Sequence, residues 1–267
     1  MQRYIQLLTL LLVGVLIVGL GVGGVGCGRQ AAVKSMCRNN TRSLTYALAN
    51  YHSTYDTFPA AVLSNPELPP DRRLSWLFEL DPYIHARMDE EWLCYRKQPW
   101  DSDDNLRLAR QRMPWCICPA RGSEVDDAGL TVTSYVGAAG IGSEAANLPK
   151  DDPKIGVFGY DRRISIFEIT DGMSTTVAVI ETTKNGPWMA GGWPTTRGLD
   201  PAHQPYLGSG QPFGSKHVGG MMIGFADGSS RFLRDSVSPA VLEALFTIAA
   251  GDDPGVLPDE RGEDRWH

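Results

Sequence analysis

The chain opens on an uncharged, almost wholly apolar run from Leu7 to Val25, and the pattern beyond it turns helical and amphipathic. About twenty residues rising 1.5 Å each cover roughly 30 Å, the thickness of a bilayer's hydrocarbon core, so the run predicts a membrane-spanning helix. Past it, Cys37, Leu44, Leu48, Tyr51 and Tyr55 recur at steps of seven, four, three and four, which places them on one helical face and leaves Arg38, Arg42 and Asn50 elsewhere. One helix is therefore expected to serve as both anchor and core element. Phe58-Pro59 stops it, and Pro66, Pro69 and Pro70 mark a surface loop. Leu74 to Leu80 reads as a short buried helix, and Pro99-Trp100-Asp101-Ser102 as the cap of another carrying Asn105, Leu106, Ala109 and Arg110.

After Gly129 the runs become short and rich in β-branched residues: Leu130 to Val136, Ile155 to Phe158, Ile164 to Ile169, Thr175 to Ile180 and Met221 to Ala226. They predict strands. Asp171-Gly172 and Asp227-Gly228 each fall between apolar runs, where a hairpin turn needs positive φ. Ser238-Pro239 then supplies an N-cap and first helical residue, Leu242, Leu245, Phe246 and Ala249 the buried face, and Gly251 the stop. The expectation is an α+β fold: a long N-terminal helix packed on an antiparallel sheet, with a loop-rich helical insertion and a short C-terminal helix. Residues 1–30 form the anchor, 31–251 one domain, and 252–267 a polar tail that frays.

Three readings of the N-terminus stay open: a retained anchor, a cleaved secretory signal, and a lipoprotein signal with Cys27 lipidated. All three export the remainder, and the retained anchor is preferred, which gives a single-pass inner-membrane protein with an extracytoplasmic domain. Arg29, Lys34, Arg38 and Arg42 follow the run while only Arg3 precedes it, an asymmetry that opposes this topology. The cysteines argue for it. Cys116-Ile-Cys118 has too short a spacing for a zinc pair and no matching second pair follows, so no metal is expected from spacing. Cys37 lies on the apolar helix face and Cys118-Pro119 ends a segment able to cover it, so Cys37 to Cys118 is the first choice of disulfide; two buried free thiols are the alternative. A net charge of −6 excludes a nucleic-acid partner, and the basic stretch after the run suits lipid headgroups.

The combined order of motifs resembles a bacterial family, domain of unknown function 1559, whose members look like pseudopilins and end in a His-x9-Asp-Gly motif. Here nine residues separate His217 from Asp227, and Gly228 follows. Cys37 through Pro59 is similar to the family's helix, Pro99-Trp100-Asp101-Ser102 and Cys118-Pro119 to its middle, and Thr133 to Gly137, Thr170 to Ser174 and Glu181 to its sheet region. The resemblance implies a pilin-like fold, membrane attachment, and partners among other pseudopilins or secretion components. It does not carry prepilin processing with it, because the Gly-Phe-Thr-Leu-x-Glu type site has no match between Met1 and Gly14 and the apolar run holds no carboxylate.

His217, Asp227 and Glu181 are the residues a catalytic reading takes up first, since a base and carboxylates can meet at one end of a sheet. The preferred reading is structural: His217, Asp227 and Gly228 fix a hairpin, with Asp227 bonding local amides. Ser209 lacks the strand-to-helix elbow of a serine hydrolase. Asp101, Asp103, Asp104, Asp151 and Asp152 read as solvated before they read as calcium ligands. Trp188, Trp193 and Gly191-Gly192 would suit a glycan cleft or a cover over the sheet. No enzyme activity and no cofactor are expected; the leading function is pseudopilin-like assembly, the alternative a tethered solute- or glycan-binding protein.

Overall fold

The computed structural model describes residues 2–85, 95–208, 210–251 and 254–255, with side chains continuous from Gly28 within those ranges. Helix α1 runs unbroken from Gln2 to Tyr55, 54 residues or about 80 Å. Among the described residues no helix is long and apolar enough to cross a membrane. The expected span, Leu7 to Val25, lies outside the described side chains, as do Cys27 and Cys94; Ser209 and nearly all of the tail lie outside the described residues.

The buried face of α1 follows the helical period: Cys37, Thr41, Leu44, Thr45, Leu48 and Tyr51 are each at most 2% exposed. Burying each large apolar member contributes about 1.5 to 3 kcal/mol. Tyr55 is the exception to the expected stripe. It is 49% exposed, because the helix ends there and Asp56 turns away at φ +59°, leaving the ring tilted against Tyr51 with centroids 4.5 Å apart. Helix α2 (Trp76–His85) joins α1 in the main core, and α3 (Asp103–Ala109) starts at Ser102, whose hydroxyl accepts from the Asn105 amide.

Five strands form one sheet: β1 (Tyr135–Ile141), β2 (Val177–Glu181), β3 (Thr196–Leu199), β4 (Gly220–Phe225) and β5 (Ser230–Arg234), in the order β3-β1-β2-β4-β5. All neighbours are antiparallel except β3 and β1, which run parallel. The expected α+β fold, a long N-terminal helix on a mostly antiparallel sheet, is thus present, and the β3 edge alone joins in parallel. β2 is followed by a segment that crosses β1 and buries Trp188 before β3 begins, so β3 enters on the far edge with the direction of β1. Along β4, Met221, Ile223 and Phe225 pack with Leu242, Leu245 and Phe246 of α4 (Pro239–Phe246), while Met222 packs with Cys37 on the α1 side. Two-residue alternation thus puts a helix on each face of the sheet. Gly224 lets α1 sit close: a Cβ there would lie 2.5 Å from the Thr45 methyl and 3.1 Å from that of Thr41.

Two expected strands are not strands. Ile164 to Ile169 contains a 3-10 turn at Ile166–Glu168, closed by the Ser165 amide donating to Glu168 Oε2 at 2.8 Å. Asp171-Gly172 is consequently no hairpin; the Asp171 carboxylate instead accepts from the amides of Ala250 and Gly251 and ties down the C-terminal segment. Ile155 to Phe158 forms no strand: it has an isolated bridge with Gly140, whose φ is +114°, and the Gly156 and Phe158 amides donate to the Ala139 and Ala138 carbonyls of β1. α4 stops at Phe246, short of Gly251, as Thr247 turns extended.

Candidate functional site

The two ends of the segment from His217 to Gly228 both reach α1, and they do so differently. At the far end, Asp227 is exposed and its Oδ1 accepts from the Ser229 amide at 2.8 Å, Gly228 takes φ +88°, and the Thr45 hydroxyl of α1 donates to the Gly228 carbonyl at 2.9 Å. This is a turn bound to a helix. Removing one such hydrogen bond costs about 1 kcal/mol, so Asp227→Ala should lower the melting temperature by about 2 to 4 °C. Calorimetry checks it, and an unchanged melting temperature would contradict the role.

At the near end the side chains converge. Cys37 sits one turn before the Thr41–Thr45 stretch of α1, and the Asn40 amide holds the loop after α3 against the helix by donating to the carbonyls of Pro114 and Ile117 at 3.0 and 2.9 Å. That loop delivers Cys118, which is disulfide-bonded to Cys37 with Cα atoms 5.3 Å apart. Its neighbour Cys116 points into the core, where its thiol donates to the Met113 carbonyl and burial pushes its pKa far up. Ser215 positions the histidine: its hydroxyl donates to the Gly220 carbonyl and accepts from the His217 amide. The imidazole Nε2 then lies 3.4 Å from Cys118 Sγ and 3.7 Å from Glu181 Oε1.

Glu181 closes β2 opposite Tyr135, and it is 1% exposed. Its Oε2 accepts from the Met222 amide of the neighbouring strand at 2.7 Å, while Oε1 has no hydrogen-bond partner among the described residues. Burial pushes the carboxyl up to about 8, partly offset by the Met222 bond; burial and then the nearby Lys34 charge hold His217 below its ordinary value. Both shifts favour the uncharged forms. A cavity of about 40 Å³ adjoins Glu181, lined also by Cys118, Arg121, Ser134, Thr182 and Lys216 among others. That volume suits a few waters or a small ion and is far below a sugar.

Of the residues singled out from sequence, Glu181, His217, Cys37 and Cys118 come together and Asp227 does not. The histidine's amide is tied through Ser215 to the start of β4, and its ring reaches across to the disulfide and Glu181. The acidic groups disperse into local bonds: Asp101 pairs with Arg72 at 3.0 Å, Asp104 accepts from Gln98, and Asp152 from the Lys154 amide. Trp188 is fully buried against Phe78 and Trp115, whereas Trp193 is half-exposed with the Arg197 guanidinium 3.5 Å over its ring. The aromatic pair therefore does not form a cleft. Sequence reasoning passed over Arg162, a buried cation that the fold depends on; an arginine in a polar loop gives no signal of burial.

Comparison with known proteins gives one family, described as a protein of unknown function (DUF1559), which matches residues 27–197 and 185–240. No curated protein and no solved structure matches the chain.

Proposed function

The chain belongs to the DUF1559 family, and from that premise we propose that it is a non-enzymatic, membrane-anchored, pseudopilin-like protein that works in a secretion or surface assembly, with its sheet domain outside the cytoplasm. The observation that carries the reading is the continuity of α1, a single helix from Gln2 to Tyr55 whose last third is domain core and whose first half contains the apolar run. A helix without a break transmits the position of its N-terminal part to the sheet, as an assembly subunit requires, whereas a tether needs no such rigidity. The glycan-binding alternative loses its aromatic lining, since buried Trp188 has no face left for a sugar.

Exchange of Leu7 to Val25 for an unrelated apolar helix separates the two. In an assembly subunit the exchange keeps the protein in the membrane fraction but abolishes crosslinks to copies or to secretion components. Crosslinks unchanged by the exchange would overturn the reading, and so would recovery of the native protein in the soluble fraction.

A further inference from the structure

We infer that Cys37, Cys118, His217 and Glu181 form a site with two exclusive states, a disulfide when oxidised and a zinc centre when the cysteines are reduced. The four ligand atoms, two sulfurs, one imidazole nitrogen and one carboxylate oxygen, lie within 4.8 Å of one another. A tetrahedral zinc with bonds of about 2.3 Å to sulfur and 2.0 to 2.2 Å to nitrogen or oxygen has ligand–ligand edges of roughly 3.3 to 3.8 Å. The Nε2 to Sγ and Nε2 to Oε1 separations, 3.4 and 3.7 Å, are such edges.

Independent of that spacing, Glu181 aims an oxygen without a hydrogen-bond partner into the cluster from a side chain that is 99% buried, its other oxygen fixed by the Met222 amide. A buried acceptor left open costs stability unless something meets it, and a cation does so. The backbone-bound Oε2 orients the ligating oxygen in the manner of an outer-shell partner. Two thiolates and a carboxylate around Zn²⁺ leave one net negative charge, with Lys34 and Lys216 near His217 and the cavity rim to balance it.

The states exclude each other because bonded sulfurs stand about 2.05 Å apart and zinc-bound thiolates about 3.8 Å. A dithiol supplies the exchange: its two thiols become a disulfide as the Cys37–Cys118 bond takes up two electrons and two protons. Zn²⁺ then displaces those two protons from the cysteine thiols. The same residues thus hold α1 to the sheet in either state.

The test titrates Co²⁺ and Zn²⁺ into full-length protein in detergent, reduced by a phosphine and kept free of oxygen. One Co²⁺ should bind per chain, with the intense visible bands of a tetrahedral ion and the near-ultraviolet charge-transfer band of thiolate ligation, and Zn²⁺ should displace it. The oxidised protein should give no thiolate band. Glu181→Gln, which keeps the size and the Met222 bond, and His217→Ala should each weaken Zn²⁺ at least tenfold, whereas Asp227→Ala at the far turn should bind as wild type. Circular dichroism reports whether each variant is folded, and Glu181→Gln serves where His217→Ala does not fold. Absence of binding by the reduced wild type, a spectrum without the thiolate band, or equal affinity in Glu181→Gln would each overturn the inference.

Discussion

Metal-free protein in which Cys37 and Cys118 are both replaced by alanine should melt roughly 9 to 18 °C below the oxidised wild type. The bond joins residues 81 apart. Closing a loop of that length removes denatured-state entropy equivalent to about 4.5 kcal/mol at 25 °C. Each kcal/mol moves the melting temperature of a domain this size by about 2 to 4 °C. Whole domains are stable by only about 5 to 15 kcal/mol, so this one bond supplies a large share. Differential scanning calorimetry under non-reducing conditions with a chelator measures the difference. A shift under about 3 °C would mean that the helix is held to the sheet by its noncovalent contacts alone.

Arg162→Met should lower unfolding free energy by about 3 to 5 kcal/mol in urea titration. The Arg162 guanidinium is buried and, among the described residues, pairs with no carboxylate; it donates instead to five carbonyls, those of Ala145, Ala146, Leu148, Ala139 and Phe158, at 2.6 to 3.3 Å. It joins β1 to the loops on either side, and burial lowers its pKa to about 10. Methionine fills much of the same volume but offers no donor. The Ala139, Ala145 and Ala146 carbonyls keep backbone donors from Gly156, Leu148 and Tyr160, so the loss falls mainly on Leu148 and Phe158. Arg162→Lys, which restores the charge but reaches fewer carbonyls, should recover part of the deficit. A loss under about 1 kcal/mol for the methionine variant would show that water replaces the guanidinium.

How far the fold could be read from the sequence followed the length of each signal. The α1 face was legible because a period of 3.6 repeated over several turns leaves few alternatives, and the Ser238-Pro239 start of α4 because a capping hydroxyl and a proline point to the same position. Ile155 to Phe158 and Ile164 to Ile169 were misread because a short β-branched run looks alike in a strand and in a buried extended loop. The decisive facts were the φ of Gly140 and the Ser165–Glu168 turn. β3 was missed since Thr196-Arg197-Gly198-Leu199 is short and carries a buried arginine where alternation predicts an apolar residue. The site was half legible. Its members were visible singly as a helix-face cysteine, a Cys-Pro, a strand-end glutamate and a motif histidine, but their meeting depends on tertiary packing that no local pattern encodes.

The position of Cys37 has a mechanical consequence. It is the first fully buried residue along the described part of α1, at the point where the helix leaves the domain. Tension applied to the N-terminal part of a helix held only by side-chain contacts would peel it from the sheet one turn at a time, beginning at that residue, so that each contact is loaded alone. A covalent bond at the start of the peeling front sends the load through Cys118 into the chain leading to β1. The contacts of Leu44, Leu48 and Tyr51 are then shielded from stepwise failure, and the force the domain withstands is set by its sulfur chemistry rather than by its buried area.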